Sequence, residues 1–410
     1  MYYFWALDNY SPYMIPAIRD KYNTEFSEEK YHRFLEDIDR DAGYHIEFRI
    51  AESPLFVPKE FSKKIFDACD QILSSVLTEK YLHESEKAIP SKLRVPKESA
   101  RPTTIAIDLG VCKNDQGELI PQLIELQAFP SLFCYQHRLA TMFQKHFSIP
   151  DSVTDLFGGL NEKSYIELLS QWIVADENPE NVVLLEIEPE KQKTRVDFEL
   201  TKKYLGIDYV CISKVILEGR NLFYEKEGRK IPIRRIYNRV IFDEFVKRTD
   251  LKCQFHLTEE INAEWVCHPN WFFRISKYSL PFIDSPYVPK TYFLNELKEI
   301  PTDLENYVLK PLFSFAGAGV HFDVTKEIVN SITNRSNYIL QRKVNYEPVL
   351  RAADEGMVKA EIRILFLWLD SFEKPKPVDS VVRLSRGKMI GVDFNKNRTW
   401  VGGTAGFFEK

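Results

Sequence analysis

The chain contains 410 residues, a length typical of two or three domains, with 44% hydrophobic and 28% charged residues, the proportions of an ordinary folded protein. This composition excludes disordered, collagen-like and fibrous classes. The net charge of −5 gives no overall attraction for nucleic acid or anionic lipid, so neither is expected as a partner.

The first residues are apolar, but they reach Asp8 with no basic segment before it, which predicts an opening strand rather than a signal peptide. No apolar run approaches the roughly 20 residues of a membrane-spanning helix, so we expect a soluble protein. The six cysteines show no C-x-x-C pairing. We therefore expect reduced thiols, no zinc site and a cytoplasmic location.

The first hundred residues predict mixed structure with two helices. Ser27 can cap a helix that runs to about Arg40 and stops near Gly43. Pro58 opens a second helix, whose apolar residues recur at helical spacing: Phe61, Ile65, Phe66, Cys69, Ile72, Leu73, Val76 and Leu77. The stretch 79–101 is polar and contains prolines, which predicts a connector.

An acidic hairpin is predicted next, with strands at 104–109 and 119–129. Glu125 and Gln127 are two residues apart and share a face, and the hairpin would place Asp108 opposite them. Two carboxylates and an amide oxygen suit a hard cation such as Mg2+. The alternative is a polar sheet face with scattered acids, although both strands are apolar and buried acids need a partner.

The middle of the chain alternates helices and strands, which predicts a small parallel sheet. The predicted elements are helices at 136–147 and 161–174, a strand at 182–187, a helix at 190–205, a strand at 209–212, a charged hairpin at 218–229, a strand at 235–239 and a helix from about Phe242.

After about Trp271 the pattern changes to antiparallel strands, predicted at 307–311, 338–341, 359–369, 381–385 and 389–394. Lys310 closes the first of these strands, and a loop of small residues follows it. Such a loop lets backbone N–H groups approach a phosphate while the ammonium adds charge. An ordinary glycine hairpin is the alternative, because the loop matches neither the P-loop nor the dinucleotide-binding pattern.

The order of these pieces resembles the ATP-grasp superfamily. Lys277 comes first, then Lys310 with its loop, Gln341 at a strand end, Glu361-x-Arg363, and finally Arg383 followed by Asn395 or Asn397 and Gly402-Gly403. Since the acidic hairpin lies upstream of the lysines, the chain resembles the circularly permuted branch typified by the synthetase domain of glutathionylspermidine synthetase. The resemblance covers roughly residues 100 to 410.

The resemblance implies a mixed α/β fold, a circularly permuted ATP-grasp module with a Rossmann-like pre-ATP-grasp domain. It implies an N-terminal segment at 1–100, the first part of the module at 101–160, the Rossmann-like domain at 161–270 and the nucleotide-binding subdomains at 271–410.

The resemblance also implies roles for individual residues, with ATP and Mg2+ as cofactors. Lys277 and Lys310 would contact the phosphates, and Arg363 would stabilise the transferred phosphoryl group, with Lys310 also catalytic. The loop would close over the phosphates through Ser314, Gly317, Ala318 and Gly319. Leu340, Gln341 and Lys343 would meet the adenine, and Asp108, Glu125 and Gln127 would hold the metal.

These matches predict an ATP-dependent ligase that joins a small-molecule or peptide carboxylate to an amine or thiol through an acyl phosphate. Two departures from the family favour an alternative. Gln127 stands where the family has Asn, and Ala106 stands where it has an Arg clamp. A catalytically weakened nucleotide-binding protein of the same fold is therefore the second hypothesis, and a plain α+β interaction protein is the third.

Three arginines are candidates for binding the substrate. Arg49 lies in an apolar strand that ends in polar groups and could meet a carboxylate, although a salt-bridged strand end is the simpler interpretation. Arg239 ends the predicted strand near the domain junction, and Arg101, Arg383 or Arg386 could replace the missing arginine clamp. The sequence identifies neither the substrates nor the oligomeric state.

Overall fold

The computed structural model describes residues 14–314, 317–387, 390 and 395–410. The predicted opening strand, part of the small-residue loop and nearly all of the strand predicted at 389–394 lie outside these residues.

The helices and strands follow one another in a mixed order. The helices are α1 (Pro16–Glu25), α2 (Glu28–Ala42), α3 (Lys59–Val76), α4 (Glu79–Glu84), α5 (Phe133–His146), α6 (Glu162–Ile173), α7 (Arg195–Leu205), α8 (Phe242–Lys247), α9 (Trp271–Arg274) and α10 (Lys326–Ser331). The strands of the first two thirds are β1 (Leu55–Val57), β2 (Thr104–Lys113), β3 (Leu119–Gln127), β4 (Val153–Thr154), β5 (Val182–Glu186), β6 (Asp208–Cys211), β7 (Ile216–Glu218), β8 (Asn221–Lys226), β9 (Arg229–Ile233), β10 (Arg235–Asn238) and β11 (Glu264–Trp265). The remaining strands are β12 (Thr291–Phe293), β13 (Tyr307–Pro311), β14 (Tyr338–Arg342), β15 (Pro348–Arg351), β16 (Met357–Leu367), β17 (Lys376–Ser385), β18 (Gly402–Thr404) and β19 (Gly406–Glu409).

The N-terminal helices form as their sequences predict. The Ser27 side chain accepts from the backbone of Lys30 at the start of α2, and Gly43 ends that helix in the left-handed conformation at φ 80°. In α3 the predicted apolar face is buried against the main core. α7 begins later than predicted, because Pro189–Lys191 forms a separate 3-10 turn and Gln192 is extended.

A six-stranded antiparallel sheet supports the site described below. Its order is β18-β17-β16-β2-β3, with β15 also pairing with β16. The predicted acidic hairpin is confirmed as β2 and β3. A bulge interrupts their pairing, because Asp108 lies opposite Glu125 whereas Leu109 lies opposite Leu123, so Ile124 is the extra residue. The sheet therefore joins strands that lie about 230 residues or more apart in the sequence.

A four-stranded parallel sheet follows the order β11-β10-β5-β6, as the alternation of helices and strands predicts. β5 is buried along its length, which is typical of a central parallel strand covered on both faces. After β5 the chain first forms β6, which pairs with one edge of β5, and later forms β10, which pairs with the other edge. The strand order therefore reverses between β5 and β10.

Two smaller sheets complete the arrangement around the site. β14 lies between β12 and β13 in an antiparallel sheet, and β1 pairs with β19, which in turn pairs with β4. The N-terminal segment thus shares a sheet with the C-terminal end of the chain.

The domain boundaries stay a prediction. In the described part of the chain, every helix is too short or too polar to cross a bilayer.

Candidate functional site

Asp108 is the centre of a charged cluster on one face of the six-stranded sheet. Its residue is 1% exposed, and it lies between Arg363 on β16 and Glu125 on β3 in the register of the strands. The Arg363 Nε and Nη2 atoms donate to the two carboxylate oxygens at 2.6 and 2.7 Å, and Arg383 Nη2 donates at 2.5 Å. A bidentate arginine pair of this kind is strong and geometrically specific.

Arg383 connects this pair to a second buried acid, Glu361. Arg383 Nη2 lies 2.5 Å from a Glu361 carboxylate oxygen, and the Tyr346 hydroxyl donates to the other oxygen at 2.6 Å. We call Asp108, Arg363, Arg383, Glu361 and Tyr346 the arginine–carboxylate network. Burial by itself raises the pKa of Asp108, but the two guanidiniums outweigh it and hold that pKa below its ordinary value.

Lys277 lies at the edge of the network and contacts Glu125 on β3. It begins a 3-10 turn, Lys277–Phe282, and the Ala128 N–H donates to Ile275 O, which fixes the preceding chain along the end of β3. Lys277 Nζ donates to Glu125 at 2.8 Å and to Ser314 O at 2.9 Å. The lysine thus joins the acidic hairpin to the base of the small-residue loop.

Lys310 extends from β13 toward the same place. Its Nζ donates to Gln341 Oε1 at 2.6 Å and to the carbonyl of Ile124 at 3.0 Å. Burial lowers the pKa of the ammonium to about 8, and the charge of Lys277 contributes to the fall. The acids of the site oppose it: Glu125, Glu361 and Asp108.

Lys310 lies within electrostatic reach of Lys277 and of three acids, so the lysines and the network form one charged cluster. We call this the cationic cleft: Lys277, Lys310, Arg363 and Arg383, with Asp108, Glu125 and Glu361. Four cations against three carboxylates leave a net charge of +1. A buried cleft of this sign favours an anionic ligand.

The small-residue loop lies beside the cleft, with Phe315 and Ala316 outside the described residues. Leu309 and His321 exchange two backbone hydrogen bonds, so the loop returns along β13. Gly319 has φ 71°, and a Cβ there would lie 3.1 Å from Pro311, so this position favours glycine. The hydroxyl of Ser314 is buried and has no hydrogen-bond partner among the described residues, which leaves a donor available to a ligand.

The predicted adenine contacts lie in different environments. Gln341 is buried and bonded to Lys310. The Leu340 side chain is fully buried in a small core, so a base could contact only its backbone. Lys343 is partly buried, its Nζ donates to Glu305 O, and it lies 4.1 Å from the centre of the Phe322 ring. Nothing in these contacts links it to the lysines of the cleft.

Arg49 belongs to a different part of the molecule. It forms an ion pair with Glu52, and its Nε donates to Val401 O at 3.0 Å. The ion pair agrees with the alternative prediction, but Arg49 lies in no strand, and its neighbour Ile50 forms only an isolated bridge with Gly403. In the described part of the chain, no contact joins Arg49 to the arginine–carboxylate network.

Arg239 and Glu186 lie at the carboxyl ends of β10 and β5, where the strand order reverses. We call them the edge pair. The Arg239 residue is 4% exposed, its Nη1 donates to Pro130 O at 2.7 Å and its guanidinium lies 4.9 Å from the Phe129 ring centre. Its Nε is buried and has no partner in the part of the chain that the structure describes. Crevices at such reversals are where open α/β sheets bind ligands.

Glu186 is a residue that the sequence analysis missed. It is 6% exposed, and it accepts a hydrogen bond from the N–H of Ile187. Burial raises the pKa of its carboxyl to about 8, against the opposing charge of Arg239. Within the described residues, neither member of the edge pair forms an ion pair. A carboxylate at the end of the apolar run 182–185 was the available signal.

The predicted metal donors Asp108, Glu125 and Gln127 lie on neighbouring strands, and the two acids are partly engaged by cations. Gln127 shares the face of Glu125 and lies opposite Ala106, and Glu125 bonds Lys277 through Oε1, one of its two carboxylate oxygens. Asp108 accepts from two guanidiniums and Glu125 accepts from Lys277. Among the described residues, no group of three histidines, cysteines or acids is placed to hold a metal. Mg2+ in nucleotide sites takes one or two protein carboxylates together with phosphate oxygens and water, so Glu125 and Gln127 have the chemistry to hold it and the metal stays a prediction.

Comparison with known proteins supports the fold. The structure is similar to that of a glutathione synthetase-like effector from Globodera pallida in its apo form, with a TM-score of 0.56, 11% identity, and coverage of 94% of this chain and 98% of that chain. No family model and no curated protein matches the sequence. At this identity the likeness shows the fold alone. The permutation and the Rossmann-like domain stay predictions.

Proposed function

We propose that this chain is an ATP-dependent ligase that activates a carboxylate as an acyl phosphate and transfers it to an amine or thiol. The observation that supports the proposal is the cationic cleft. Lys277, Lys310, Arg363 and Arg383 converge on it from four separate elements. Phosphoryl transfer depends mainly on positioning and on stabilising the phosphate charge, and these side chains supply both.

The residues divide the task as follows. Lys310 and Lys277 bind the phosphates, and Arg363 stabilises the phosphoryl group as it moves to the carboxylate. Ser314, Gly317 and Gly319 exclude water that would hydrolyse the acyl phosphate. No covalent bond to the protein is needed, so no nucleophilic serine or cysteine takes part.

The edge pair is the proposed site for the substrate that carries the carboxylate. Arg239 presents a buried guanidinium with an unused N–H, and it contacts Pro130, three residues beyond Gln127 in β3. Three residues span at most about 10 Å. A small molecule or peptide bound by Arg239 could therefore extend toward the cationic cleft.

The test is a hydroxamate assay with ATP, Mg2+, hydroxylamine and a panel of small carboxylates and peptides. We expect ADP and a hydroxamate with at least one substrate, and loss of both in Lys310→Ala. Arg220→Ala is the matched control, because Arg220 forms an exposed ion pair with Glu260 away from the cleft. Failure of every carboxylate to yield ADP would count against a ligase.

A nucleotide-binding protein without catalysis is the second candidate. Two observations favour it: Ala106 stands opposite Gln127 where the family has an arginine, and Asp108 is occupied by guanidiniums. Calorimetry with ATP separates the candidates, since both bind the nucleotide but only the ligase hydrolyses it with a suitable acceptor. The cytoplasmic location stays a prediction from the sequence.

A further inference from the structure

Two of the six cysteines differ from the others in their exposure. Four cysteines are buried, and the other two, Cys211 and Cys253, are partly exposed. We call these two residues the thiol pair. Cys211 ends β6, and Cys253 lies in the irregular chain 248–263 between α8 and β11. A small reagent in solution can therefore reach both thiols.

Glu188 connects Cys211 to the chain that carries Cys253. The Glu188 N–H donates to Cys211 Sγ at 3.3 Å, and Glu188 Oε2 accepts from Arg248 Nη2 at 2.8 Å. A turn follows, in which the Leu251 N–H donates to Arg248 O at 3.2 Å. Cys253 comes two residues after Leu251, and two residues span at most about 7 Å. A short series of contacts therefore leads from one thiol to the other.

The thiol pair also lies at one groove. The groove has a volume of about 920 Å3, and its lining includes Cys211 and Glu188 together with Leu251 and Gln254. The last two residues stand on either side of Cys253 in the sequence. Burial raises the pKa of the Cys253 thiol, and the charge of a Cys211 thiolate raises it further. The two sulfurs are thus within electrostatic reach of one another.

Few contacts fix the chain around Cys253. In the part of the chain that the structure describes, the backbone of residues 252–254 makes no hydrogen bond. The ion pairs of Arg248 with Glu188 and Asp250 are partly exposed, and such pairs contribute little to stability. A segment of this kind opens at a low free energy. It can therefore bring Cys253 to the Cα separation of about 4.4–6.8 Å that a disulfide needs.

We propose that Cys211 and Cys253 form a reversible disulfide by exchange with a low-molecular-weight disulfide. Cys211 reacts first, because the Glu188 N–H stabilises its thiolate and the thiolate is the nucleophile. Its sulfur attacks the reagent, breaks the S–S bond of the reagent, forms a mixed disulfide and releases one thiol. The Cys253 thiolate then attacks the Cys211 sulfur and releases the second thiol. Two protein thiols are oxidised, and the reagent is reduced to two thiols.

The disulfide acts on the edge pair through β6. Cys211 lies opposite Glu186 in the register of β5 and β6, so a cross-link at Cys211 displaces the end of the strand beside Glu186. The oxidised protein then binds the carboxylate substrate less tightly than the reduced protein. This consequence rests on the proposed function, whereas formation of the disulfide does not.

The test is mass spectrometry of the reduced wild-type protein after incubation with oxidised glutathione. We expect the intact protein to lose two hydrogen atoms, and a non-reducing peptide map to join Cys211 to Cys253. Dithiothreitol should restore the original mass. An unchanged mass, a cross-link between other cysteines, or glutathione on both members of the thiol pair without a cross-link would each overturn the proposal.

Single variants separate the two steps of the exchange. Cys253→Ser should accumulate a mixed disulfide on Cys211, because the second thiol is missing. Cys211→Ser should react at Cys253 at least about tenfold more slowly. Cys69→Ala is the matched control, since the Cys69 thiol is buried, and it should still form the cross-link. Circular dichroism checks that each variant is folded. Equal rates in the two serine variants would overturn the role of Cys211 as the attacking thiol.

Initial-rate kinetics of the oxidised and reduced protein measure the effect on the edge pair. KM for the carboxylate should rise about fivefold or more in the oxidised protein and return to its original value with dithiothreitol. An unchanged KM in the cross-linked protein would overturn the effect on the edge pair. A protein that forms the disulfide but never yields ADP would count against the proposed function and support the thiol pair.

Discussion

The cationic cleft and the edge pair are both buried and charged, but they are stabilised in opposite ways. In the cleft, Asp108 is covered by Arg363 and Arg383. In the edge pair, Glu186 and Arg239 lie near one another, yet neither forms an ion pair with any described residue, and Glu186 has a raised pKa. The buried charges of the cleft are paired within the protein, whereas those of the edge pair are not paired with any described residue.

The difference indicates what each region is built to receive. A buried charge with its partners in place is preorganised, so a ligand finds donors already oriented. A buried charge without a partner is unfavourable until a ligand supplies the opposite charge. The cleft thus suits a polyanion that adds to an existing network, and the edge pair suits a substrate that completes one.

Removing Asp108 should have the largest effect on stability. In Asp108→Ala two buried guanidiniums lose their carboxylate, so we expect a loss of about 3–5 kcal/mol in the free energy of unfolding. Urea denaturation measures it. Glu347→Gln is the control, because its ion pair with Lys113 is exposed and should contribute no more than about 1 kcal/mol. Equal losses in the two variants would contradict the role of Asp108 as the centre of the network.

Removing Arg239 should instead weaken binding of the carboxylate substrate. In Arg239→Leu the protein loses a buried charge that had no carboxylate partner, so its unfolding free energy should change less than in Asp108→Ala. A charged hydrogen bond to substrate contributes about 1.5–3 kcal/mol, so KM for the carboxylate should rise roughly 10- to 150-fold. Initial-rate kinetics measure it. An unchanged KM would remove Arg239 from the substrate site.

Glu186 should make stability depend on pH. Its folded pKa of about 8 lies above the ordinary value, so its contribution is fully present at acidic pH, below the unfolded pKa. That contribution is lost as pH rises toward 8, by up to about 1.4 kcal/mol per pH unit. Glu186→Gln should reduce this slope in denaturation curves recorded between pH 5 and 8. The same slope in wild type and variant would mean that another group is responsible.

Lys310 should make nucleotide affinity depend on pH above 8. A phosphate is fully ionised there, since its second pKa is near 6, whereas Lys310 loses its proton as pH passes its pKa of about 8. Affinity should fall by at most about tenfold per pH unit. Titrations at pH 7, 8 and 9 measure it. Lys310→Arg keeps its charge and should flatten the profile, and a wild-type profile that is already flat would exclude Lys310 from phosphate binding.

Local patterns were enough to predict much of the fold. The hairpin of β2 and β3 could be predicted because its alternation and its polar turn are contained in one short stretch. β12 and β15 could not, because strands of three or four residues are defined by the neighbours that pair with them. The later start of α7 likewise depends on a turn at Pro189 that periodicity does not show.

The sequence was enough to predict which residues form the site, but not which of them bond to one another. Asp108, Arg363 and Lys310 could be selected from the motif order, and they do lie together. The bonds from Arg363 and Arg383 to Asp108 cross more than 250 residues of sequence, so spacing carries no information about them. A sequence shows oxygen donors, but it does not show which cation occupies them.

The bulge in β3 gives a single residue control over the chemistry of the cleft. Ile124 is the extra residue there, and its carbonyl is the one that accepts from Lys310. Deleting it would make the ladder regular and leave Glu125 opposite Asp108, but Lys310 would lose the carbonyl that accepts from its Nζ. An irregular strand therefore supplies, through its backbone, one of the two oxygens that hold the ammonium of Lys310 in place.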